Sequence, residues 1–154
     1  MDGEMFLYLG SSYPLSIVDE AGAPLAFDRE FSLVKKYQPL ARELFMDWYK
    51  KEANRVIEER LDCFSASSGL RYSDWKISDA KKRWGSCSGN NDLSFSWRLI
   101  MAPLDVIDYI VAHELAHIEE KNHSSRFWKK VQSIFPDYKQ QDKWLRENGH
   151  RIII

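Results

Sequence analysis

Cysteine is scarce in this chain. Cys63 and Cys87 are its only two in 154 residues, which excludes a disulfide framework of the kind that staples small secreted domains. No apolar run approaches the roughly 20 residues of a membrane-spanning helix. Met1 to Gly10 shows no basic stretch ahead of an apolar run, the pattern of a secretory leader. A cytoplasmic location is therefore expected, with no membrane partner. An excess of either charge is missing too: 22 Lys and Arg stand against 23 Asp and Glu, a formal net charge of −1, so there is no strong nucleic-acid signal. Repeats, low-complexity tracts and linkers are absent, and residues 1–154 are expected to form a single domain large enough to bury a core. Aromatic residues, by contrast, are plentiful, with six Trp, seven Tyr and eight Phe.

Histidine is also sparse and unevenly placed. Three of the four fall in His113-Glu114-Leu115-Ala116-His117 and at His123. On a helix, positions i and i+4 lie about 40° apart around the axis and one turn apart along it, so His113 and His117 can aim both imidazoles at one metal ion. Glu114, rotated by about 100°, is badly placed as a ligand but can reach a water in the metal's open coordination position. An HExxH string can arise by chance on any helix carrying solvated charges, and two further features argue against that here. Leu104, Ile107, Val111, Leu115 and Ile118 form a helical stripe after Pro103, with Val106 and Ile110 on the histidine side. A helix this apolar is buried, and buried imidazoles need partners. His123 then follows His117 at a distance that a continuing helix would carry too far along its axis. The helix is expected to end between them, with Asn122 as the terminating residue and Ser124 capping a next helix whose stripe is Phe127, Val131 and Ile134.

The remaining pattern is mixed. Tyr13 to Phe27 has apolar runs around a Gly/Pro turn and predicts a hairpin. Pro39 to about Leu61 predicts a backing helix, and Asp62 to Ser73, rich in Ser and Gly, a loop into Trp75-Lys76-Ile77-Ser78. Leu93, Phe95, Trp97 and Leu99 alternate with Ser94, Ser96 and Arg98, predicting a half-buried strand over residues 93–100. Lys81 to Cys87 should pair antiparallel with it across the Ser88-to-Asp92 turn.

At this point the chain resembles the YgjP-like zinc metallopeptidase domain, of the zincin group. The resemblance rests on Lys82-Arg83-Trp84-Gly85-Ser86-Cys87, Trp97-Arg98-Leu99-Ile100-Met101-Ala102-Pro103, the His113-to-His117 core, Asn122-His123-Ser124 with Phe127-Trp128, and Pro136-Asp137-Tyr138 ahead of Trp144-Leu145. It covers about Trp75 to Gly149. It implies an α+β, zincin-like fold: a small antiparallel or mixed sheet packed on an active-site helix and a backing helix, with C-terminal helices. It also implies His113, His117 and His123 as zinc ligands, Glu114 as catalytic base and a sheet edge on which a peptide can lie. The ligand spacing matches the metzincins too, but their glycine position is Glu120 here and no methionine follows for a Met-turn, so metzincin membership is rejected.

Three neutral imidazoles leave the fourth position of zinc for water, and Glu114 can act as its general base. The leading expectation is a zinc-dependent peptidase acting on peptides or unfolded protein. The alternatives are a zinc hydrolase of a non-peptide bond such as a nucleotide phosphoanhydride, and a zinc-containing binding module without catalysis. Tyr138, Arg126, Arg83 and His150 are candidates for a second oxyanion stabiliser, each equally readable as a surface or packing residue. Lys81-Lys82-Arg83-Trp84 reads as a solvated face, Cys87 as a packed small residue, and Trp128 and Trp144 as core. His150, beside Arg151 and the three terminal isoleucines, is expected to take no catalytic part.

Overall fold

The computed structural model describes residues 1–152; Ile153 and Ile154 of the isoleucine run lie outside the described residues. The chain opens with strands β1 (Met5–Tyr8), β2 (Ser11–Val18), β3 (Leu25–Asp28) and β4 (Glu30–Val34), in the sheet order β1-β2-β4-β3. The β1–β2 turn requires Gly10: its φ is +87°, and a Cβ there would come within 2.8 Å of Pro103 Cγ. Leu9 and Gly10 donate their N–H groups to the carbonyls of Ile100 and Met101, which ties this hairpin to the segment that feeds the histidine helix.

The hairpin expected over Tyr13 to Phe27 does not form. β2 and β3 are separated by β4, which pairs parallel with β2 and antiparallel with β3. The Asp19-to-Pro24 connection is longer than the two to five residues that favour a hairpin, and the most buried strand of the sheet, with Phe31 and Leu33 fully covered, takes the place between them.

Helix α1 (Ala41–Ser68) backs this sheet and runs past Leu61 into the segment expected to be a loop, of which residues 69–73 remain one. Phe64, edge-on to Phe135 at 6.3 Å, anchors the extra turns. The helix ends at Gly69, left-handed at φ 74°, whose N–H donates to the Ser65 carbonyl as an αL terminus should.

A second sheet holds β5 (Asp74–Ser78), β6 (Gly85–Cys87) and β7 (Asp92–Ser96) in the order β5-β7-β6, with β6 antiparallel to β7 as expected. The strand expected to reach Ile100 stops at Ser96. Its hydroxyl accepts from the Arg98 N–H, and Trp97–Met101 wind into a fully buried 3-10 turn. Arg98, expected to face solvent, is therefore buried, its guanidinium 4.4 Å from the Trp97 ring. The antiparallel arm is likewise shorter than expected. The Ala80 carbonyl is taken by the Ser96 hydroxyl at 2.7 Å, so residues 79–84 form a strap held mainly by side chains, with a backbone hydrogen bond only at Trp84.

Helices α2 (Leu104–Glu119), α3 (Ser125–Ile134) and α4 (Tyr138–Asn148) complete the α+β fold. One apolar core runs from Phe31 and Leu33 of the first sheet through Tyr49, Trp97 and Val111 to Phe127 and Val131. No helix among the described residues is long and apolar enough to cross a membrane.

Candidate metal centre

The rotation of α2 about its axis is set by packing. Val106, Ile107, Val111, Ala112, Leu115 and Ala116 are buried, and this leaves His113 half-buried and Glu114 and His117 almost wholly covered. The helix stops sooner than Asn122: Glu120 is already extended, at φ −125° and ψ 99°. Its carbonyl, released from helical pairing, lies 3.0 Å from His117 Nδ1. A proton held there and donated to that oxygen leaves His117 Nε2 as a lone pair. Burial pushes the His117 imidazole below its ordinary pKa, which favours the neutral ring that a metal requires.

The chain then doubles back. Ser124 caps α3 as expected, its hydroxyl accepting from the Phe127 N–H, and the reversal lays His123 over His117 with their Nε2 atoms 3.1 Å apart. One nitrogen from each of His113, His117 and His123 can be chosen so that all lie within 4.8 Å of one another. Phe127, fully buried, is the platform beneath them, with ring centroids 4.9, 4.3 and 4.9 Å from those of His113, His117 and His123. Trp128 does not serve as plain core: it is half-buried and stacks on His123 at 6.0 Å.

Glu114 lies between the triad and β6, with Oε2 3.0 Å from His113 Nδ1. A Cβ on Gly85 would stand 3.0 Å from Glu114 Cγ and Oε2, so the carboxylate is wedged against bare backbone. β6 is the sheet edge beside α2. Next to Glu114 a cleft of about 370 Å³ opens, lined among others by Lys82, Arg83, Trp84 and Arg146.

The profile of the YgjP-like, metallopeptidase domain family matches residues 1–148. The chain belongs to the YgjP-like metallopeptidase family. Membership thus takes in the first sheet and α1, well ahead of the Trp75-to-Gly149 stretch on which the resemblance rested. Among solved structures, the metallopeptidase zymogen of Pyrococcus abyssi abylysin is similar at 23% identity and a TM-score of 0.52, over 59% of this chain and 93% of that one. That likeness concerns the fold. No curated protein matches.

A YgjP-like metallopeptidase needs a metal ion, and the histidine triad is the cluster among the described residues able to hold one. Of the four candidate oxyanion stabilisers, Arg83 lines the cleft beside Glu114. Tyr138 stacks on Trp128 at 5.4 Å, and Arg126 and His150 are exposed on α3 and at the C-terminal turn. Cys87 is half-buried on β6, its thiol pushed up by burial, and stands outside the triad. Sequence reasoning missed the Glu120 carbonyl, the Gly85 contact and the contribution of α4 through Asp142 and Arg146. Gly85 alone carried a signal, as the small residue of Trp84-Gly85-Ser86-Cys87.

Proposed function

We propose that this YgjP-like metallopeptidase is zinc-dependent, with His113, His117 and His123 as ligands and Glu114 as general base. The observation that carries the reading is the approach of the His117 and His123 Nε2 atoms to 3.1 Å while the far side of the His117 ring is committed to the Glu120 carbonyl. Two imidazole nitrogens that close need a proton or a cation between them. Tetrahedral zinc, with Zn–N of about 2.0–2.1 Å, spaces its ligand nitrogens by about 3.4 Å. A set of three imidazoles with no thiolate or carboxylate also suits a catalytic site that keeps one position exchangeable.

When bound, zinc supplies a Lewis acid that lowers the pKa of water to about 7 and polarises a carbonyl. The chain's own residues do the rest. β6, free on its outer edge, holds an extended peptide by main-chain hydrogen bonds that do not depend on sequence. The Glu114 carboxylate accepts a proton from water as the new C–O bond forms. It returns that proton to the leaving amine as the C–N bond breaks. Phe127 and Trp128 shield the inner side of the histidines, and Gly85 lets the strand approach the base closely enough to orient a substrate over it. The substrate is then a peptide or an unfolded segment of protein. The cationic lining of the cleft supports a second reading, hydrolysis of a nucleotide phosphoanhydride.

The test is metal content together with hydrolysis of an unstructured protein and of nucleoside triphosphates, in wild type and Glu114→Gln. One equivalent of zinc in both proteins, with proteolysis reduced by about 10²–10⁴ in the variant, is the expected result. Glu114-dependent release of phosphate, with no proteolysis, would replace the peptidase reading with the second one.

A further inference from the structure

We propose that the cleft beside Glu114 is a subsite for an acidic side chain, so that the peptides this protein prefers carry Asp or Glu next to the scissile bond. The inference rests on the peptidase reading and deepens it. It starts from the strap, which is a built structure. The Asp79 carboxylate accepts from the Trp97 indole at 2.7 Å and from Arg98 Nη1 at 3.0 Å. The Ser96 N–H donates to the Trp84 carbonyl at 2.9 Å, and the Trp84 ring lies on Gly149, where a Cβ would stand 3.1 Å from it. Both ends are pinned, and Lys82 and Arg83 are displayed between them at the mouth of the cleft.

Among the described residues neither Lys82 nor Arg83 lies within ion-pair distance of a carboxylate. Asp142, the acid across the cleft, is committed: Oδ1 accepts from the Tyr109 hydroxyl at 3.1 Å and Oδ2 pairs with Arg146 at 3.0 Å. Behind the cations the wall is apolar, with Ile110 and Leu145 at less than a tenth exposed and Trp84 half-buried. A carboxylate on a short methylene stem suits both features, its stem on the wall and its oxygens on the guanidinium fork and the ammonium. A basic side chain would be repelled. A neutral one would cover the cations without pairing them.

The strap immediately precedes Gly85, the β6 residue that touches Glu114. A peptide added antiparallel to β6 therefore presents the acid on the carboxyl side of the bond to be cut, and one added in parallel presents it on the amino side.

The test uses zinc-loaded Glu114→Gln and labelled, amidated peptides identical except for one Glu, Gln or Lys, placed in turn on either side of a fixed centre, with affinity read by anisotropy. Two exposed ion pairs that together contribute about 1.4 kcal/mol correspond to a Glu-over-Gln preference of about tenfold. It should be confined to one side, erode between 0.05 and 0.5 M salt, and reverse toward Lys in Lys82→Glu/Arg83→Glu. The salt arm needs no further substitution, so it stands even if that double variant folds poorly. Equal binding of the Glu and Gln peptides, absence of binding, or a preference that survives charge reversal overturns the proposal. So does a free-acid Gln peptide that binds as well as the amidated Glu peptide, which would assign the site to a chain terminus, or displacement of the Glu peptide by far lower concentrations of a nucleoside triphosphate. Wild type is assayed for cleavage of the same peptides. A binding preference without any cleavage refutes the peptidase reading and leaves the subsite standing, whereas cleavage at equal rates with equal binding refutes the subsite alone.

Discussion

Gly85 has no side chain to offer, and its position shows why. A methyl group there would meet Glu114 Cγ and Oε2 at 3.0 Å and Ile110 Cγ2 at 3.2 Å. The neighbours are a buried carboxylate and a core side chain, and both border the cleft, so the crowded carboxylate gives way toward it. Gly85→Ala should therefore displace the proposed base while leaving the histidines in place. A shift of about 1 Å at a reacting group costs on the order of 10² in rate, against an overpacking cost of about 1–3 kcal/mol in stability. Zinc stoichiometry should stay at one equivalent while kcat falls at least tenfold; an unchanged kcat would mean that Glu114 does not work from the position it occupies here. Phe127 makes the complementary case at the same scale. It is fully buried under all three imidazoles, so Phe127→Leu should loosen the triad. Zinc affinity, measured by competition with a chelating dye, should weaken by clearly more than in an equally conservative Phe31→Leu protein, altered in the first sheet.

Elements differ in how far their own sequence determines them. α2 is readable from its apolar stripe and the spacing of its histidines, and the start of α3 from Ser124, because capping and periodicity are local physics. The parallel pairing of β2 with β4, the extra turns of α1 and the 3-10 turn at Trp97 depend on partners remote in sequence: the competition of β4 for the place between two strands, Phe135 against Phe64, and the Ser96 hydroxyl shared between Arg98 and Ala80. The histidine, HExxH and cap signals thus put the candidate ligands and base on the page, whereas the α4 side of the cleft, brought in by tertiary packing, could not be read. The strap is the element whose anchoring is most open to test. Asp79→Ala removes the acceptor of Trp97 and Arg98, and leaves a buried guanidinium with only the carbonyls of Asp79 and Ala80. A loss of about 1–3 kcal/mol, the range for leaving a buried donor without its partner, should appear in urea unfolding. The Trp97 indole and then the Arg98 guanidinium hold the Asp79 carboxyl below the usual carboxylate range. Its contribution is therefore fully present above the ordinary value of about 3.9 and disappears as pH falls through the lowered one. Hydrogen exchange over residues 79–84 should quicken in that acid window in wild type. In Asp79→Asn it should be quick already at neutral pH, and equal protection in the two proteins would show that the carboxylate is not the anchor.

At the scale of the whole molecule the two sheets, α1 and the histidine helix share one apolar core, and the turn at Leu9 and Gly10 is hydrogen-bonded to the segment that starts α2. The first sheet cannot loosen without disturbing Ile100 and Met101, and through them the base of the histidine helix. We therefore expect residues 1–152 to unfold as one cooperative unit, with metal binding linked to the stability of all of it. A ligand bound only by the folded state at 100 times its Kd adds about 2.7 kcal/mol, which for a chain of this size raises Tm by roughly 5–11 °C. Stripping zinc with a chelator should lower Tm by that amount in a single transition, followed both by near-ultraviolet dichroism of the first sheet's aromatic cluster and by far-ultraviolet dichroism of the helices. His123→Ala should start near the lower Tm and respond little to the chelator, because its imidazole is exposed and is proposed here as a metal ligand. Two separated transitions, with only the helical one moved by zinc, would instead show that the first sheet is an independent unit whose contacts with α2 do not transmit the binding energy.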